Sequence, residues 1–164
     1  MLVNKLRKQL LFLAAILLLP SYSMLAQPYS TIEDEDILKN MREVLRTRYP
    51  LQWEDLQIGD SYQIDLNHSM LTYEKDGVYH EAIINSKRKE FLLIAIAVQV
   101  PEENVPHVVM QAFENGEHGD REVVKTFWVK TPYEEDYYAL DVVKNDTTER
   151  LFFNPLGVTM VSPY

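Results

Sequence analysis

The chain has 164 residues, with 16 Lys and Arg against 25 Asp and Glu, and its formal charge is −9. That length holds one domain of ordinary size or two small packed halves, and an apolar fraction of 46% with ten Tyr, six Phe and two Trp excludes a disordered chain. A pI near 4.9 argues against nucleic acid or an anionic membrane surface as partner, and the absence of cysteine excludes disulfides, thiolate metal sites and cysteine nucleophiles.

Lys5, Arg7 and Lys8 precede the apolar residues 10–19, which end at Pro20 and lead into Ser21, Tyr22, Ser23, Met24, Leu25 and Ala26. A basic start, a short apolar run and a small-residue exit are the pattern of a secretory signal peptide over residues 1–26. The run is about half of the roughly 20 apolar residues a spanning helix needs, so no permanent membrane anchor is expected. Cleavage is expected after Ala26, with Ser23 as the competing point, and no cysteine follows to carry a lipid. The leader takes three cations and no acid with it, so the remaining 138 residues carry −12. Export without cysteine points to a bacterial envelope protein, periplasmic or secreted, stabilised by core burial alone.

The rest divides into two similar passes, residues 27–102 and 103–164. In the first, Ile37, Leu38, Met41, Val44 and Leu45 mark one face of a helix from Ser30 to Tyr49, with Ser30 and Glu33 at capping-box spacing and Pro50 as its stop. Alternation at Tyr62, Ile64 and Leu66 then predicts a half-buried strand. Strands follow at Met70 to Lys75 and Val78 to Asn85, joined by Asp76-Gly77, whose tolerance of positive φ suits a tight hairpin. Glu90 to Val100 is almost wholly apolar, as in an interior strand.

In the second pass Asn104 is the predicted cap of a helix bearing Val105, Val108, Val109, Ala112 and Phe113 on one face. Strands are predicted at Arg121 to Lys130, Asp136 to Lys144 and Glu149 to Asn154, with Val158 to Val161 as a continuation after a break at Pro155 to Gly157. The expected class is α+β: two helix-plus-antiparallel-meander repeats, with the helices on one face of the sheet.

The segments Val105-Pro106-His107-Val108-Val109-Met110-Gln111-Ala112-Phe113, Phe127-Trp128-Val129-Lys130, Tyr137-Tyr138-Ala139-Leu140-Asp141-Val142 and Leu156-Gly157-Val158 resemble the PepSY-like family of exported bacterial proteins, which is related in fold to the beta-lactamase inhibitor protein. The resemblance is good over 103–164 and holds in outline over 33–100. Where the family has a Tyr-Pro pair after its Ala-Phe helix, this chain has Gly116-Glu117-His118-Gly119-Asp120. The resemblance implies a BLIP-like fold and a non-catalytic envelope protein whose sheet binds a partner.

Residue patterns for catalysis are sparse. His68, His80, His107 and His118 are scattered with no i, i+4 pair, and no nucleophile elbow, phosphate loop or dinucleotide loop occurs. Glu114, Glu117 and Asp120 do not keep the ligand spacing of a calcium loop and read as a solvated turn. No metal and no cofactor is expected. The informative residues are aromatic. Strand parity sets Tyr138, Leu140 and Val142 under the helix and leaves Tyr137 opposite, and it groups Val123, Phe127 and Val129 against Trp128. On that parity Tyr79, Trp128 and Tyr137 decorate the helix-free face, where Tyr and Trp serve as binding anchors. The expected function is a non-enzymatic binding or inhibitor-like module whose open sheet face contacts a protein or peptide of the cell envelope. The alternative is a small-molecule-binding or acid–base enzyme, with His80 and a carboxylate such as Glu81 or Asp141 in a pocket on a curved sheet.

Overall fold

The computed structural model describes residues 29–87, 90–132 and 136–162. The leader and its cleavage point lie outside the described residues.

Asp34, not Ser30, starts the first helix. Its carboxylate accepts hydrogen bonds from the backbone N–H groups of Asp36 and Ile37, at 2.9 and 3.2 Å, and caps α1, Glu35–Arg48. Ser30 instead belongs to a two-residue strand, β1 (Ser30–Thr31), which pairs with β2 (Gln57–Gln63) at the sheet edge. A short 3₁₀ turn at Trp53–Asp55 links α1 to β2.

β3 (His68–Lys75) and β4 (Val78–Asn85) form the predicted hairpin. Asp76 and Gly77 have φ of 55° and 74°, the positive values a tight two-residue turn needs. β5 (Leu92–Gln99) pairs with β4 on one side and β6 (Glu122–Lys130) on the other, as its apolar run predicts for an interior strand.

The second helix, α2, spans His107–Glu114 and starts later than Asn104. Pro106 disfavours helical backbone at the residue before it, and Val105 is extended, so Asn104 closes a separate 3₁₀ turn, Glu102–Asn104. β7 (Asp136–Lys144) and β8 (Thr147–Phe153) turn at Asn145 and Asp146, again with positive φ at both, and β9 (Thr159–Met160) returns along β8. Gly157 makes that return: its φ is +80°, and a Cβ there would stand 2.7 Å from the Val108 carbonyl oxygen of α2.

Among the described residues nine strands run in sequence order as one antiparallel sheet. Both helices lie on the same face. Met41 and Leu45 of α1 pack on Leu71, Tyr73, Ala82 and Ile84, and Val109 and Phe113 of α2 pack on Leu140, Val142, Leu151 and Phe153. The class is α+β, as expected. Bulges at Ile58/Ser61, Ile83/Ile84 and Val123/Lys125 bend the sheet. No helix among the described residues is long and apolar enough to cross a membrane.

Candidate functional site

The third bulge overturns one sequence expectation. On β6, Val123 stands opposite Val142 and packs toward α2, whereas Phe127 stands opposite Ala139 on the other face. One extra residue between Val123 and Lys125 shifts the alternation, so Phe127 and Val129 face away from the helices and Trp128 faces toward them. Tyr79 and Tyr137 do lie on the helix-free face. The three aromatics therefore do not form one patch.

Nor is that face open. Met70, Ile83, Ala95, Ala97, Phe127, Val129, Tyr137, Ala139 and Phe152 are buried on it, and Tyr29, Tyr62, Ile64, Tyr79 and Ile94 pack against them. Tyr137 is only 7% exposed. The physical reason is curvature around a buried charge cluster. Arg150 on β8 donates from Nε and Nη2 to the two carboxylate oxygens of Asp141 on β7, at 2.6 and 2.9 Å. Its Nη1 and Nη2 reach Glu81 on β4, at 2.5 and 3.2 Å. β4 and β8 are four strand spacings apart, roughly 19 Å along a flat sheet, which is beyond the reach of these two side chains. Only a strongly curved sheet brings them together, with its helix-free side concave.

Glu81 has only 2% of its side chain exposed and Arg150 12%. Burial by itself would lower the pKa of the Arg150 guanidinium, but Glu81 and Asp141 outweigh that effect and hold it charged. The guanidinium also lies 4.5 Å above the Phe127 ring. Tyr79 points its hydroxyl to Glu81, 3.4 Å away, and burial pushes that hydroxyl well above the usual tyrosine range. The arrangement is a satisfied ionic core, and it leaves little room for a partner.

His80 faces the helix side. Its Nδ1–H donates to the Val78 carbonyl at 2.8 Å, and its ring stacks on Tyr73 with centroids 4.9 Å apart. Burial lowers its pKa, against the opposing effect of the Val78 carbonyl, and so favours the neutral imidazole. Glu81 and Asp141 lie on the opposite face and are held by Arg150, so His80 and these carboxylates are not brought together.

The helix side does hold a cleft. α1 packs on β3, β4 and, at Leu93, on β5, and α2 packs on β7 and β8; Ile96 and Val98 of β5 and Trp128 of β6 lie past the end of α1. A cavity of about 630 Å³ opens there, beside the C-terminal end of α1. Arg48 and Tyr49 form one wall; Leu93, Ile96, Val98, Trp128 and Lys130 form the floor and the other. The Lys130 ammonium lies 3.8 Å from the Trp128 ring centroid, close enough for a cation–π contact. Tyr49 joins its hydroxyl to that of Tyr73 at 3.3 Å, which ties this wall to the His80 stack. The Trp128 indole Nε1 is buried and has no hydrogen-bond partner among the described residues.

Sequence reasoning reached Trp128 but missed Arg48 as a cleft residue, because a basic residue in the last turn of a helix is sufficiently explained by the helix dipole. It also named Glu81 and Asp141, yet with His80 rather than Arg150. The signal for Arg150 was a cation on the same face of β8 as the buried Phe152.

No family model matches the chain, and no curated protein matches it. Solved structures do. A DUF2874 family protein from Bacteroides uniformis ATCC 8492 is 17% identical with a TM-score of 0.53, over 74% of this chain and 85% of its own. A protein from Bacteroides eggerthii DSM 20697, named as periplasmic, is 19% identical with a TM-score of 0.53, over 74% and 84%. A second DUF2874 family protein, from Bacteroides ovatus ATCC 8483, is 16% identical with a TM-score of 0.51, over 74% and 83%. At such identities the shared property is the fold: the α+β arrangement of this chain is that of the DUF2874 structures.

Proposed function

We propose that this protein is an exported, non-enzymatic binding module of the bacterial envelope, and that it takes a protein or peptide partner in the helix-side cleft at Trp128. Export rests on the leader-like residues 1–26, with cleavage after Ala26 and release into the periplasm. The motif resemblance to the PepSY-like family and the fold shared with the Bacteroides eggerthii protein named as periplasmic agree with that compartment. The observation that carries the binding site is the cleft itself: a half-buried Trp128, overlain by a cation and set beside apolar β5 side chains at the C-terminal end of α1. Aromatic anchors of this kind dominate binding energy, whereas the concave face spends its aromatics on its own core.

The test is affinity purification of the mature chain from its native envelope. A partner retained by wild type and by Tyr79→Phe but lost from Trp128→Ala supports this reading. A partner retained by Trp128→Ala contradicts it.

A further inference from the structure

We propose that the cleft recognises a carboxylate attached to an apolar side chain, presented as the free C-terminus of a peptide; this rests on the reading of the cleft as the partner site. The first argument is charge. The chain has 25 acidic residues, yet the described residues lining the cleft include Arg48 and Lys130 and no acid. Lys75, Arg121, Lys144 and Arg150 each sit against a carboxylate. Among the described residues Arg48 and Lys130 do not; each lies instead over an aromatic ring, Tyr49 at 5.9 Å and Trp128 at 3.8 Å. Two cations held over rings at one cleft form a positive site on a protein whose overall charge repels anions. An incoming carboxylate completes them with charge-assisted hydrogen bonds.

The second argument is shape and polarity. Leu93, Ile96 and Val98 supply apolar floor, and about 630 Å³ lies within the range of ligand pockets. That volume accommodates a few residues of chain and not a folded surface. The third is the indole Nε1 of Trp128, a buried donor without an acceptor among the described residues, which a peptide carbonyl satisfies. A simple carboxylate whose oxygens meet the two cations brings no further acceptor for that indole.

Isothermal titration of the mature protein with acetyl-Ala-Leu-Phe as free acid, with the same peptide as C-terminal amide, and with 3-phenylpropanoate separates these cases. The acid is expected to bind at least about tenfold tighter than the amide. Lys130→Gln, at an exposed position, is expected to erase that preference while leaving the circular dichroism unchanged, and Arg48→Gln to reduce it. Equal binding of acid and amide, or an unaltered preference in Lys130→Gln, overturns the proposal. So does 3-phenylpropanoate binding as tightly as the peptide acid. If acid and amide bind alike while Trp128→Ala still abolishes partner capture, the carboxylate proposal falls and the cleft stands as partner site. If Trp128→Ala retains the partner, the broader reading falls as well.

Discussion

Arg150 and Glu81 form a buried ion pair between strands that are not neighbours, 69 residues apart in sequence and separated by β5, β6 and β7. The pair is a direct measure of how far the sheet curls, and Asp141 completes it from β7. Removing the cation leaves Glu81 buried without compensation. Arg150→Met is expected to cost about 3–5 kcal/mol in urea unfolding, and the double change Arg150→Met with Glu81→Met to recover a good part of that loss. A loss below about 1 kcal/mol for Arg150→Met would mean the sheet is open in solution, since exposed ion pairs contribute no more than that.

Tyr137 and Trp128 sit on opposite faces and are expected to fail differently. Tyr137→Ala opens a cavity in the concave core and is expected to cost about 3 kcal/mol of stability. Trp128→Ala removes a half-buried ring from a cleft, so its loss is expected mainly in partner affinity. Thermal unfolding and a binding titration on both variants check the split, and a Trp128→Ala protein destabilised as severely as Tyr137→Ala speaks against it.

His80 gives the stability a pH dependence of known sign. Burial lowers its folded-state pKa below the ordinary 6.5, so the folded protein prefers neutral imidazole while the unfolded chain takes up the proton. The contribution is fully present above pH 6.5 and is lost as pH falls through the lower folded-state value. Carboxylates titrate nearby, so the informative comparison is with His80→Phe. Urea midpoints of wild type relative to that variant are expected to fall on going from pH 7.5 to pH 5.5; a constant difference would show that the ring is solvated.

At the start of α1, Asp34→Ala is expected to cost about 1 kcal/mol, because two backbone N–H groups lose their acceptor. Ser30→Ala is expected to stay within about 0.5 kcal/mol, since Ser30 is an exposed edge-strand residue. Chemical unfolding of both variants decides which residue is the cap. The reverse ranking would restore the longer helix.

These contrasts show where the amino-acid pattern was sufficient. The β3–β4 hairpin was legible because Asp76-Gly77 carries its own backbone preference, and β7 because Tyr137 to Val142 alternate without interruption. The face of Trp128 was not legible. Val123, Phe127 and Val129 are all apolar, so an added residue between Val123 and Lys125 reverses the faces without leaving a polar mark. Arg150 was hidden for a different reason: its partners come from β4 and β7, and local periodicity carries no information about how tightly a sheet curls. The cleft shares that origin, because Arg48 and Tyr49 at the end of α1 form it with residues of β5 and β6 that are distant in sequence.

The central claim is that a partner meets the helix-side cleft and not the concave face. A photoreactive benzoyl-phenylalanine placed at Pro132, on the cleft, and in a second variant at Lys125, above Tyr79 on the other face, tests it in the intact envelope. A discrete adduct from position 132 that disappears with Trp128→Ala, with none from position 125, is the expected result. An adduct from position 125 alone, or one from position 132 that survives Trp128→Ala, would contradict the claim.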